Sequence, residues 1–237
     1  MKGGSGMNIQ GLQKLTLLDY PEKVACTIFT AGCNFRCPFC HNASLVTHID
    51  LERNIPVEQV MNFLKKRWRV LDGICISGGE PLLQPELEDF IRGVKEIGYS
   101  VKLDTNGSNA RLLKHLAEEK LLDYVAMDIK NAPGKYGITI GIPDYNMEEI
   151  FRSVDFLMSG TVPYEFRTTV VREFHKREDF SDIGRWIKGA QRYYLQSFRI
   201  SGDLIRPGLR AYTKEILVQA LEVVQRNVPN AELRGVE

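Results

Sequence analysis

Short β-rich runs alternate along this chain with segments whose apolar residues recur at helical spacing, and that alternation narrows the available folds most. Residues 23–31 read as a first strand, with Val24, Cys26 and Ile28 alternating with smaller or polar residues, and 73–77 as a second. Four more runs, 99–104, 123–129, 164–171 and 193–200, carry β-branched or aromatic residues and end in polar or turn residues. Between them, Val57, Val60, Met61, Leu64 and Trp68, then Leu87, Phe90, Ile91 and Val94, form faces that want a sheet to cover. Pro56 and Pro85 suit first-turn positions, and Ser108 suits the N-cap of a helix burying Leu112, Leu113 and Leu116. Leu217, Ala220, Leu221 and Val224 mark a terminal helix. Six βα units in succession predict parallel strands with right-handed crossovers, in an open doubly wound sheet or an incomplete barrel. Either way the chemistry belongs at the carboxyl ends of the strands. The longest loop excursion is 131–146, with Pro133, Gly134, Gly137, Gly141 and Pro143; such a loop is either functional or a disordered connection.

The chain sets 31 basic against 30 acidic side chains, a net charge of +1, which gives no electrostatic case for nucleic acid or an anionic membrane as partner. With 43% hydrophobic and 26% charged residues it has the composition of a globular α/β domain, expected here as one unit over 7–237. No stretch is apolar over the roughly 20 residues that cross a bilayer, and Met1, Lys2, Gly3, Gly4, Ser5 and Gly6 lack the apolar region of a secretory signal. The expected compartment is therefore the cytoplasm. Met7 could itself be a start, so residues 1–6 read as a flexible tail or an expression remnant.

Of five cysteines, Cys33, Cys37 and Cys40 form C-x3-C-x2-C directly after the first expected strand. Thiols in a reducing compartment stay free, so a tight group points to a metal or catalytic site rather than disulfides. Three thiolates on one loop can hold three irons of a four-iron four-sulfur cluster, leaving the fourth iron open to a substrate. The competing reading is zinc with His41 or Cys26 as fourth ligand. His41 follows Cys40 too closely to reach the same metal with ease, and zinc motifs usually add a distant second pair. Cys26 and Cys75 fall inside expected strands and read as small buried hydrophobes. His48, His115 and His175 read as surface or loop residues.

The cysteine spacing, with Phe39 before Cys40 and the motif closing a first strand in a βα chain, resembles the radical S-adenosylmethionine superfamily. Cys40-His41-Asn42 resembles the activating enzymes of glycyl-radical enzymes within it. The resemblance implies a partial (β/α)6 barrel holding a 4Fe-4S cluster on Cys33, Cys37 and Cys40, with S-adenosylmethionine chelated beside it near Phe39, His41 and Asn42. Ser77-Gly78-Gly79-Glu80-Pro81 follows the second strand, and its glycines permit a turn that leaves amides and carbonyls free for a ligand. The resemblance sets Gly78, Gly79 and Glu80 against the cofactor's amino group. It sets Asp104 and Asp128 beside the methionine end, with a monovalent cation, and Lys130 on the carboxylate. By themselves, Asp104-Thr105-Asn106-Gly107 reads as a turn and cap, and Asp128 with Lys130 as a strand-end salt bridge. Arg167 and Arg199 are charges in runs suited to burial, readable as paired structural arginines. The resemblance draws Arg167 toward the cofactor and extends less directly to Arg199.

The implied activity is one-electron cleavage of S-adenosylmethionine to methionine and a 5′-deoxyadenosyl radical, which removes a hydrogen from one glycine of a partner enzyme. Gly11-Leu12-Gln13-Lys14 and Asp19-Tyr20-Pro21-Glu22-Lys23-Val24-Ala25-Cys26 resemble anaerobic ribonucleoside-triphosphate reductase activating proteins, which makes that reductase the expected partner. A flavodoxin- or ferredoxin-type protein is the expected electron donor. The alternatives are an activase of another glycyl-radical enzyme, such as pyruvate formate-lyase, a small-molecule radical enzyme such as 7-carboxy-7-deazaguanine synthase, and an iron-sulfur electron carrier.

Overall fold

The computed structural model describes residues 6–200 and 203–236, so all of the expected tail except Gly6 lies outside the described residues. Eight strands form one sheet: β1 (Ile9–Thr16), β2 (Ala25–Thr30), β3 (Gly73–Gly78), β4 (Ser100–Thr105), β5 (Tyr124–Asp128), β6 (Tyr164–Val170), β7 (Tyr193–Ser197) and β8 (Ala231–Arg234). Their order in the sheet is their order in the chain. β1 runs antiparallel to β2, and every later neighbour is parallel. A doubly wound sheet would reverse its strand order at a switch point. This sheet never reverses, so its crossovers wind one way and it is the incomplete barrel of the two alternatives.

The six expected strands are β2–β7, and an unforeseen strand flanks them on each side. β1 carries Gln10, Gly11, Gln13 and Lys14 and fully buries only Ile9 and Thr16, the make-up of a protected edge strand. β8 has only four residues, too few for an alternation to stand out. β7 stops at Ser197, and Ile200 beyond it is exposed.

The helices are α1 (Ala43–Thr47), α2 (Val57–Lys66), α3 (Leu87–Ile97), α4 (Ala110–Glu118), α5 (Tyr136–Thr139), α6 (Glu148–Met158), α7 (Arg177–Trp186) and α8 (Lys214–Gln225). Their buried stripes, such as Leu87, Phe90, Ile91 and Val94 of α3, join one core with Ile28, Ile74, Ile76, Val101, Leu103, Val125 and Phe166 of the sheet. Successive strand residues face opposite ways, so Lys102, Asp104, Asp128, Glu165 and Arg167 point together into the barrel. The outer face of the sheet is thus apolar, and the inner face is charged.

Three local expectations change. The N-cap of α4 is Asn109, whose Oδ1 accepts from the Leu112 amide at 3.1 Å, while the Ser108 hydroxyl is buried without a partner; Leu112 is only half-buried. α2 ends at Lys66, so Trp68 leaves its apolar stripe and sets its ring edge against Tyr99 at 5.7 Å. Residues 131–146 form an ordered segment that contains α5, with Tyr136 and Ile140 fully buried.

Candidate active site

The loop after β2 is fixed by backbone bonds from several directions. Gly32 donates to the Leu45 carbonyl at 2.8 Å, Arg36 to Ile140 at 2.8 Å, and Arg206 donates to the Pro38 carbonyl at 2.9 Å. The excursion around α5 therefore buttresses the cysteine loop. Phe35 packs edge-on to Tyr145, and Phe39 lies against Phe174. Cys33, Cys37 and Cys40 line one cavity of about 230 Å³ together with Phe39, His41, Asn42, Gly78, Gly79, Asp104, Asp128, Lys130 and Arg167. These residues come from the carboxyl ends of β2–β6, as a βα barrel requires.

Three thiols of one loop, brought to one cavity, are a donor set that fits an iron-sulfur cluster. No group of three His, Cys, Asp or Glu side chains among the described residues is arranged to hold one ion. His41 stacks on Phe198 at 5.5 Å and its Nε2 donates to the Arg199 carbonyl at 2.8 Å, which occupies it elsewhere. Cys26 is buried in β2 and does not line the cavity. The Phe35 backbone amide donates to Cys33 Sγ at 3.3 Å, and Asn106 Nδ2 lies 3.8 Å from the same sulfur. Burial pushes the Cys37 thiol up to about 12 and Cys33 to about 11, against the pull of Lys130. Thiols so placed keep their protons unless a cation replaces them, which is what coordination to iron does.

The turn after β3 is locked to this loop. Asn42 Nδ2 donates to the Gly78 carbonyl at 3.0 Å, and Glu80 N donates to Gly32 O at 2.8 Å. Gly78 has φ +114, and a Cβ there would fall 2.3 Å from the Thr30 carbonyl oxygen, so no side chain fits. Glu80 lies beneath the turn, fully buried and outside the cavity lining. Its carboxylate accepts from Leu82 N at 3.1 Å, Thr105 Oγ1 at 2.7 Å and Asn106 N at 2.6 Å, tying β3 to the end of β4. Burial nevertheless pushes Glu80 up to about 7.

The inner charges form a connected chain. Arg167 Nε donates to Asp128 at 3.0 Å and Lys130 Nζ donates to the other oxygen of Asp128 at 2.9 Å. Burial works against the Asp128 charge, but Arg167 and Lys130 outweigh it and hold the carboxyl at about 2. The strand-end salt bridge is therefore present, and both its members also line the cavity. Arg199 stands apart, lining an adjoining cavity with His41, Gln196, Arg234 and Gly235. His48 and His115 are exposed, as expected, but His175 is fully buried: its Nε2 donates to the Lys130 carbonyl at 2.9 Å and its Nδ1 accepts from Val171 N at 3.1 Å.

Sequence reasoning left several lining residues out of the site, among them Ser77, Asn106, Thr169 and Gln196. It also passed over Lys102 and Glu165, which lie deeper in the barrel. The signal was the polar half of each strand's alternation, as in Val101-Lys102-Leu103-Asp104.

The sequence profile of the Radical SAM superfamily matches residues 27–187. A Methanocaldococcus jannaschii protein provisionally named a glycyl-radical enzyme activating enzyme is 35% identical over 194 residues, covering 80% of this chain and 79% of its own. A pyruvate formate-lyase-activating enzyme of Staphylococcus aureus is 32% identical over 134 residues, 52% of this chain and 53% of its own. Among solved structures, Streptococcus suis SuiB bound to S-adenosylmethionine is similar with a TM-score of 0.67 over 86% of this chain and 48% of SuiB, at 14% identity, a likeness of fold alone. With the family profile matched across more than half of its length, this chain belongs to the radical S-adenosylmethionine superfamily, whose members use a 4Fe-4S cluster and S-adenosylmethionine.

Proposed function

We propose that this chain activates a glycyl-radical enzyme, and that the partner is an anaerobic ribonucleoside-triphosphate reductase. The observation that carries the reading is the similarity to a provisionally named activating enzyme across 80% of the chain, with the cysteine loop inside the matched family profile. The choice of reductase rests on the motifs from Gly11 to Cys26. Similarity to a pyruvate formate-lyase-activating enzyme over 52% of the chain favours that partner as the second reading.

Cys33, Cys37 and Cys40 would hold three irons, leaving the fourth for S-adenosylmethionine. When bound, the two cofactors supply one-electron cleavage of a carbon–sulfur bond and a hydrogen-abstracting carbon. The chain's own residues position and shield. The Gly78–Gly79 backbone, set by Asn42 and Glu80, presents carbonyl oxygens to an amino group. Lys130, held by Asp128, offers its remaining N–H donors to a carboxylate, a charge-assisted contact. Phe39 and His41 wall the cavity, and Arg167 fixes Asp104 and Asp128. Arg199 lines the adjoining cavity, an approach for a peptide loop toward the site. Among the described residues β8 makes no pairing with β1, and the open side gives such a loop room. The electron enters from a flavodoxin- or ferredoxin-type donor.

The test is anaerobic mixing of the reduced, cluster-loaded protein with S-adenosylmethionine and either candidate partner. A glycine-centred radical in the reductase supports the first reading. A radical in pyruvate formate-lyase alone supports the second.

A further inference from the structure

We propose that Lys102 is a built-in counter-ion that stands where family resemblance calls for a monovalent cation, so that the site binds S-adenosylmethionine without one. The inference deepens the reading of the cavity as that cofactor's site.

A bound monovalent cation needs oxygens whose negative charge is not already compensated, and every oxygen of the two carboxylates that would supply them already faces a cationic side chain. Lys102, on β4, is 2% exposed and places its Nζ on Asp104 Oδ1. Asp104 Oδ2 accepts from Ser77 Oγ at 3.0 Å and faces Arg167 Nη1 at 3.5 Å. Asp128 gives one oxygen to Arg167 at 3.0 Å and the other to Lys130 at 2.9 Å. Three cationic side chains thus meet two carboxylates, 3 − 2 = +1, and a further cation would enter a cluster already in positive surplus. These side chains do not fit a bound monovalent ion.

Lys102 also lines the lower cavity with Asp19 and Glu165, but Thr27 Oγ1 donates to Asp19, and Arg234 claims Glu165 at 2.8 and 3.1 Å. Burial works against the Lys102 charge, but Asp104 and, less strongly, Cys75 outweigh it and raise its pKa. A lysine ammonium is a compact point charge with three donors, the side-chain group nearest to a small inorganic cation in its action on a carboxylate. Lys102 is thus a positioning residue: it acts on the cofactor through Asp104.

Two measurements test this on the full-length, cluster-loaded protein under anaerobic conditions. The first is S-adenosylmethionine affinity in potassium, sodium or choline chloride at one ionic strength. The wild type should vary by less than about twofold between salts, whereas Lys102→Met should lose about tenfold or more in choline and recover most of it in potassium or sodium. Lys102→Arg, which keeps the charge, should stay independent of the salt. The second is thallium(I) NMR line broadening without S-adenosylmethionine: none attributable to this site in the wild type, and a signal in Lys102→Met that Asp104→Asn removes. A wild type that requires potassium or sodium, or that broadens thallium through Asp104, overturns the proposal. If Lys102→Met fails to fold, the wild-type salt and thallium results decide alone. Should S-adenosylmethionine fail to bind in every salt, the cofactor reading falls, while the thallium result still reports on Lys102.

Discussion

A methyl group added to Gly79 would come within 2.0 Å of the Gly32 carbonyl oxygen, so the turn after β3 and the entry to the cysteine loop share a contact that only glycine allows. Gly79 N also donates to the Thr30 carbonyl at 2.8 Å. The three atoms nearest the new methyl are all backbone atoms of Gly32, and none can swing aside. Gly79→Ala should therefore disturb the cluster loop as well as the cofactor turn, costing on the order of 1–3 kcal/mol. Iron content and thermal unfolding should fall together; a variant with full iron and an unchanged midpoint would show that the loop yields freely.

Anaerobic reconstitution should load four irons, the content of one [4Fe–4S] cluster, through Cys33, Cys37 and Cys40, and replacing any of these by alanine should abolish it. Cys26→Ala should retain the cluster, because Cys26 lies in β2 outside the cavity. Cys75→Ala should retain it too, since Cys75 packs beside Lys102 below the cavity and not on its wall. Iron analysis and the visible absorbance of each variant check this, and loss of iron in Cys75→Ala would contradict it.

Lys130→Ala should weaken S-adenosylmethionine binding without removing iron, since one charge-assisted contact is worth about 1.5–3 kcal/mol, roughly 10- to 150-fold in affinity. Equilibrium binding to the loaded variant measures it. Unchanged affinity would place the cofactor's carboxylate elsewhere.

Much of this was legible in the sequence, and the rest was hidden for physical reasons. Strands β2–β7 announce themselves because their outward residues are β-branched or aromatic and their ends are turn residues. β1 and β8 are edges, with little to bury. Cys33, Cys37 and Cys40 are close in sequence and so are readable as a group. Lys102 meets Asp104 through the two-residue spacing of β4 itself, but Arg167 reaches Asp104 only because three neighbouring strands share a register, and no local spacing encodes that. His175 looked like a loop residue because its partners, Val171 and Lys130, are backbone groups, which leave no mark on residue type.

That buried histidine gives a pH prediction. Burial lowers the His175 pKa below its ordinary value of 6.5, and the backbone bonds do not restore it, so the folded protein holds the ring neutral. The unfolded chain takes up a proton as pH falls through about 6.5 while the folded protein does not, so the stability His175 contributes is present above that pH and lost below it. Glu80, raised by burial, works the other way between about 4.5 and 7. Comparison with His175→Gln cancels the Glu80 part. The stability advantage of the wild type over this variant should shrink from pH 7.5 to pH 5; an advantage that is constant or grows toward acid would mean the ring is charged in the fold.

Activation of a glycyl-radical enzyme is read out by electron paramagnetic resonance of the reduced protein with S-adenosylmethionine and the anaerobic reductase. A glycine suits the target role because it has no side chain to keep the abstracting carbon away, and its α-carbon radical is delocalised into the flanking amides. A glycine-centred signal should appear in the reductase with one 5′-deoxyadenosine formed per radical, and that signal should be lost when the target glycine is changed to alanine. Multiple turnovers of 5′-deoxyadenosine with a small metabolite, and no radical on any partner protein, would contradict it.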